Sequence, residues 1–241
     1  MTWSLIARDD SGAFGVAVAS RFFAVGALCP HAASAIGALS TQALVNPLYA
    51  PAALEAMARN TDPAEIVRTL TRADEGREHR QLHLIDRDGR IAAHTGTACI
   101  DWCGQRVGAG FSVAGNMLAG PRVLSDTASA FEANRALPFA ERLIVALAAG
   151  EAAGGDKRGK QAAALIVYTT EVYPALDLRV DDHADPIVEL RRLYEVSLER
   201  FQPFVACLPR AGDPHGVTDR AVIEAEIARF QLTRRRQPGS H

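Results

Sequence analysis

Thr2 follows the initiator methionine and leads straight into a β-type run, so removal of Met1 would place a hydroxyl and a free amine on one residue. Such a residue supplies nucleophile and base together. An α-amine titrates near ~7.7–8.0, and in its neutral form it takes the proton of its own hydroxyl as that oxygen attacks a carbonyl. An acylated nitrogen cannot act as that base, so the chemistry requires loss of Met1. The plainer alternative is that Thr2 is only the β-favouring first residue of a strand.

Further polar groups could complete such a site. Ser20-Arg21 closes the second β-type run, where it either supports the threonine or meets backbone and solvent. Ser40-Thr41-Gln42 interrupts an apolar segment, and buried polar groups need partners; Thr41 and Gln42 are candidates for catalytic donors to an oxyanion. Asn46 before Pro47 reads as a turn residue or a ligand contact. Glu78-His79-Arg80 sets an anion, an imidazole and a cation in succession, suited to gripping a polar or carboxylate-bearing substrate. Asn116 can present an amide to a carbonyl or cap a helix. Asp156 and Lys157 sit among glycines in a turn that could shape the rim of a binding site. Asp181, Asp182 and His183 gather hard oxygen donors beside an imidazole, a run that can hold a divalent metal or precede a helix capped at Asp185-Pro186. No other cofactor is expected.

The elements that must position these groups follow from period and punctuation. Trp3–Arg8 and Ala13–Ser20 flank Asp9-Asp10-Ser11-Gly12, a hairpin signal. The uncharged run 32–44 suits buried strands. Helices are predicted from Pro47 or Pro51 to Arg59, after Asp62-Pro63, and over 121–136 and 138–149. A second hairpin spans 81–95 around Arg87-Asp88-Gly89, and a strand pair runs through 106–117. Strands at 161–168 and 175–180 precede helices at 186–200 and 218–230. Hairpins with helices added in pairs predict an α+β fold, two mainly antiparallel sheets face to face with helices outside. The punctuated stretch Leu208–Gly216 suggests a main domain over 2–208 and a C-terminal helical appendage over 209–238.

With 241 residues, 48% of them hydrophobic, the chain can bury one substantial core. Lys+Arg 26 against Asp+Glu 28 leaves no basic face for nucleic acid or membrane. Four scattered cysteines, and an N-terminus carrying Arg8, Asp9 and Asp10, predict a reduced, cytoplasmic protein.

The segments Gly15–Arg21, Ser40–Ala43, Gly76–Gln81, Gly115–Gly120 and Gly150–Gly159 resemble a family of bacterial and archaeal proteins catalogued as domain of unknown function 1028, over about Thr2 to Tyr194. That resemblance implies the N-terminal-nucleophile (Ntn) hydrolase-like superfamily and its four-layer αββα fold. Within that superfamily the Thr-led hairpin resembles the opening of proteasome β subunits, whose second strand ends in Asp-Ser-Arg. Here Ala19 stands in place of that Asp, and His31, not a Lys, is the titratable group nearest the third strand. Two functions are expected from this reading. One is a hydrolase acting on a small amide or cyclic amide. The other is a non-catalytic ligand- or metal-binding protein on the same scaffold. Either would take a small-molecule ligand and assemble as a homo-oligomer, a homodimer by preference.

Overall fold

The computed structural model describes residues 2–236. Asp9 closes the first turn through its carboxylate, which accepts from the backbone N–H groups of Ser11 and Ala13, while Gly12 takes φ 89°. This turn joins β1 (Thr2–Arg8) to β2 (Phe14–Ser20) in a register that sets Thr2 opposite Ser20. β3 (Pro30–Ala33) and β4 (Gly37–Ala43) follow, then two helices, α1 (Tyr49–Ala58) and α2 (Pro63–Ala73). Asp62 caps α2 by accepting from Ala64 N–H, with Pro63 at the first helical position. β5 (Arg80–Asp86) and β6 (Ile91–Thr95) form the second hairpin, and β7 (Trp102–Gly108) and β8 (Phe111–Leu118) the third. After α3 (Arg122–Ala133) and α4 (Phe139–Ala152) come β9 (Ala162–Tyr168), β10 (Leu176–Val180) and α5 (Pro186–Glu199).

One sheet has the order β10-β9-β2-β1-β8-β7 and the other β3-β4-β5-β6, with every pairing antiparallel. The sheets face each other through β1, β2 and β8 against β3, β4 and β5. α1 and α2 cover the outer face of the four-stranded sheet, α3 and α4 that of the six-stranded one, giving the four-layer αββα arrangement. Leu39, Leu82 and Leu84 point outward to bury Tyr49, Ala53, Met57 and Ile66 of the helices. Gly15 lets α4 approach the other sheet closely, since a Cβ there would lie 2.5 Å from Leu143 Cδ1.

The space between the sheets is divided by character. Ile6, Phe14, Val16, Ile85 and Ile166 form an apolar half. Thr2, Ser4, Gln42, Gln81, His83, Ser112 and Asn116 fill the half next to the start of β1, all of them buried.

Residues up to Arg191 form one compact unit and those from Arg192 a second. The second holds α6 (Phe201–Val205) and α7 (Arg220–Arg236), with Arg200 paired to Glu224 and Arg234 to Glu195. Among the described residues, no helix is long and apolar enough to cross a membrane.

Candidate active site

Thr2 pairs with Ser20 on one side and Asn116 on the other, so three polar residues share the same end of adjacent strands. Thr2 Oγ1 lies 3.1 Å from Ser20 Oγ. Asn116 Nδ2 donates to the Thr2 carbonyl at 3.3 Å and to Gln81 Oε1 at 3.2 Å, which fixes the threonine's main chain from the neighbouring strand.

Alternation along β1 turns Thr2 and Ser4 toward the second sheet. There Gln42 Nε2 donates to Gln81 Oε1 at 2.7 Å, and Ser4 Oγ donates to Gln42 Oε1 at 2.6 Å. With its proton given to Gln42, Ser4 can only accept from His83 Nε2, 2.9 Å away; His83 Nδ1 then accepts from Ser112 Oγ at 3.0 Å. His83 is therefore the neutral Nε2–H tautomer, and burial pushes its pKa down to about 3. Gln81 Nε2 reaches Thr95 Oγ1 and the carbonyls of Gly104 and Gly115, each at 3.0 Å. One continuous chain of hydrogen bonds thus runs from Thr2 through Asn116, Gln81, Gln42 and Ser4 to His83 and Ser112.

A second cluster holds the loop after β4. Thr41 Oγ1 donates to the Asn46 carbonyl at 3.2 Å and accepts from Asn46 N–H at 3.4 Å. Asp74 collects Asn46 Nδ2 at 3.1 Å, Tyr49 OH at 2.7 Å, Gly76 N–H at 2.7 Å and Arg80 Nε at 3.2 Å. The Tyr49 hydroxyl, against the opposing effect of burial, holds the Asp74 carboxyl well below the usual carboxylate range, with Asn46, Gly76 and Arg80 adding to it. Asp74→Ala leaves these four donors short of an acceptor. We expect it to cost about 2 kcal/mol and to expose the 44–48 loop to proteolysis, read as faster native-state cleavage there than in the parent protein.

The remaining sequence candidates lie in their own settings. Glu78 accepts from Thr97 N–H at 3.0 Å and Thr97 Oγ1 at 2.8 Å, and His79 is exposed with its carbonyl bonded to Leu44 N–H. Asp156 is buried and accepts from Arg21 N–H at 2.8 Å and Arg158 N–H at 2.8 Å, tying the glycine-rich turn to the end of β2. Lys157 pairs with Asp101 at 2.6 Å. Asp181 pairs with Arg179, Asp182 accepts from Gln161, and His183 Nδ1 accepts from Asp185 N–H, so the three turn to different partners. Among the described residues, no group of three or more His, Cys, Asp or Glu is arranged to hold a metal ion. His31, half-buried, bonds the Leu28 carbonyl at 3.0 Å, and burial lowers its pKa.

The structure thus gathers Thr2, Ser20, Gln42 and Asn116 in one network, with Arg21 and Asp156 joined beside it. Thr41, Asn46 and Arg80 belong to the Asp74 cluster. Ser4, Gln81, His83, Ser112 and Asp74 were not among the sequence candidates for the site. The signal for two of them was present, because Gln81 and His83 are polar residues at alternate positions of an otherwise apolar strand and so share a buried face.

Backbone strain concentrates at the same end. Among the described residues six non-glycine residues have positive φ, and Ala24 (52°), Ala43 (69°), Asp101 (58°) and Met117 (52°) all lie in or beside the loops there. Such conformations persist where surrounding structure imposes them, commonly around functional sites.

These features define an α+β protein of four αββα layers with a hydroxyl residue held at paired strand ends. The family described as "Family of unknown function (DUF1028)" matches residues 2–190, and the chain belongs to it. A crystal structure of a protein of this family from Silicibacter pomeroyi is similar, with 31% identity, a TM-score of 0.84, and coverage of 91% of this chain and 96% of that one. Anbu, the ancestral beta-subunit from Yersinia bercovieri, aligns at 13% identity and a TM-score of 0.40 over 81% of this chain and 94% of its own. No curated protein matches the chain.

Proposed function

We propose that this protein is an Ntn-type hydrolase of a small amide or cyclic amide, with Thr2 as nucleophile once Met1 has been removed. The observation that carries the reading is the 3.1 Å hydrogen bond between the hydroxyls of Thr2 and Ser20 at paired strand ends. The Thr2 amine takes the hydroxyl proton as Oγ1 bonds to the carbonyl carbon, and the resulting ammonium returns that proton to the leaving nitrogen as the C–N bond breaks. Water then attacks the acyl-threonine ester, giving the free acid and regenerating Thr2. Ser20 relays or shares the hydroxyl proton. Asn116, with both amide hydrogens engaged, positions Thr2. No lysine is required, because the base resides on the nucleophile.

A second reading is favoured by one observation. Thr2 is only 5% exposed, which suits a non-catalytic ligand-binding protein on the same scaffold, assembled as a homo-oligomer. A panel of small amides and cyclic imides, assayed with the native protein and Thr2→Ala, separates the two. The hydrolase reading expects turnover in the native protein and a loss of at least about 10³-fold in the variant. Turnover in neither protein would favour the second reading, and equal rates in both would remove Thr2 from the mechanism.

A further inference from the structure

Large apolar side chains crowd the loops at the Thr2 end. Phe22 and Phe23, just after Ser20-Arg21, are 54% and 61% exposed; Leu44 and Leu48, after β4, are 62% and 74% exposed; Ile100, before β7, is 59% exposed. Isolated exposed apolar residues are ordinary, but these three loops converge. Val45 packs on the cluster of Val18, Val25, Cys29, Ala162 and Ala164, which joins the 44–48 loop to the one carrying Phe22 and Phe23. The Ile100 carbonyl accepts from Met117 N–H, one residue beyond Asn116. Asp74 holds the 44–48 loop, and Ala24 N–H bonds the Asp181 carbonyl, so the rim is anchored to the fold.

Three nearby cations are ion-paired. Arg80 pairs with Asp74, Lys157 with Asp101 and Arg158 with Asp156. The exposed Arg21 makes one long side-chain hydrogen bond, 3.5 Å to the Lys160 carbonyl, and no ion pair among the described residues. Its backbone N–H is fixed by Asp156, which anchors the main chain between Ser20 and the phenylalanines. A guanidinium presents a planar fork suited to a carboxylate.

We infer that the ligand of this site is an amide joining an apolar acyl group to a carboxylate-bearing amine, the chemical class of N-acyl amino acids. The apolar rim takes the acyl group and Arg21 the carboxylate, with the amide left at Thr2; as a statement about substrate, this rests on the hydrolase reading above.

Titration calorimetry of the full chain with N-octanoylglycine, N-octanoylglycinamide and N-acetylglycine tests it, with glycine release followed in parallel. Saturable binding of N-octanoylglycine is expected, about tenfold or more tighter than either analogue. Arg21→Gln brings it to the affinity of the glycinamide, and Phe22→Ser with Phe23→Ser to that of N-acetylglycine. Equal affinities for the three compounds, or no saturable binding at millimolar concentration, overturns the inference. It is also overturned if the double serine variant converts a dimer to a monomer, by sedimentation, with ligand affinity unchanged, because the rim is then an interface between copies of this chain. The expected binding pattern without glycine release overturns the nucleophilic role of Thr2 and leaves the ligand class standing.

Discussion

Gln81→Leu lowers the unfolding free energy by about 4 kcal/mol, measured by denaturant titration at neutral pH. Leucine nearly fills the volume but provides none of the hydrogen bonds. Gln42 Nε2 and Asn116 Nδ2 lose a buried acceptor and the buried Gly115 carbonyl loses a donor, while the half-buried Gly104 carbonyl loses its bond to Gln81 as well. Each orphaned buried group costs about 1–3 kcal/mol, and partial collapse of the sheets recovers some of the total. Because Asn116 also holds the Thr2 carbonyl, the variant should lose the hydrolysis proposed above at temperatures where it remains folded. A change under about 1 kcal/mol would mean that solvent enters the space between the sheets, and the network described here would be wrong.

Acid destabilises the protein through His83. The imidazole titrates near 6.5 when exposed and near 3 in the folded chain, so between these values the unfolded chain binds a proton that the native one does not. Its contribution is fully present above pH 6.5 and is lost as the pH falls toward 3. One such proton amounts to about 2 kcal/mol between pH 6.5 and about 4.5. His31, also lowered by burial, adds in the same direction, whereas Glu151 and Asp177, raised by burial, oppose it. Comparison with His83→Gln isolates the effect. The variant's stability should vary less steeply with pH in this window, even though it starts lower at neutral pH. Parallel curves for the two proteins would show that His83 is already charged, or hydrated, in the native state.

The parts of this architecture legible in the sequence are those encoded locally. The Asp9–Gly12 turn sets a register in which Thr2 must face Ser20, and Asp86, accepting from Asp88 and Arg90 N–H groups, closes the second hairpin just where Gly89 needs φ 79°. Asp62-Pro63 announced α2 in the same way. The start of β7 was hidden because a bulge between Trp102 and Gly104 breaks the alternation. The short α6, containing Pro203, carries no periodic signal of its own. The interior of the site was the least visible. Ser4 meets His83 across 79 positions and Asn116 meets Thr2 across 114, and such pairings follow from how two sheets stack, which no local pattern states. Ser4 and Ser112 look like ordinary strand residues until the opposing sheet supplies their partners.

Intact-mass spectrometry after exposure to an acylating β-lactone reads whether the mature chain begins with a reactive threonine. The expected product is a protein lacking Met1 that gains a single adduct mapped to Thr2, with no adduct in Thr2→Ala. A chain that retains Met1 throughout, or an adduct mapped to any other residue, would contradict the nucleophilic role of Thr2.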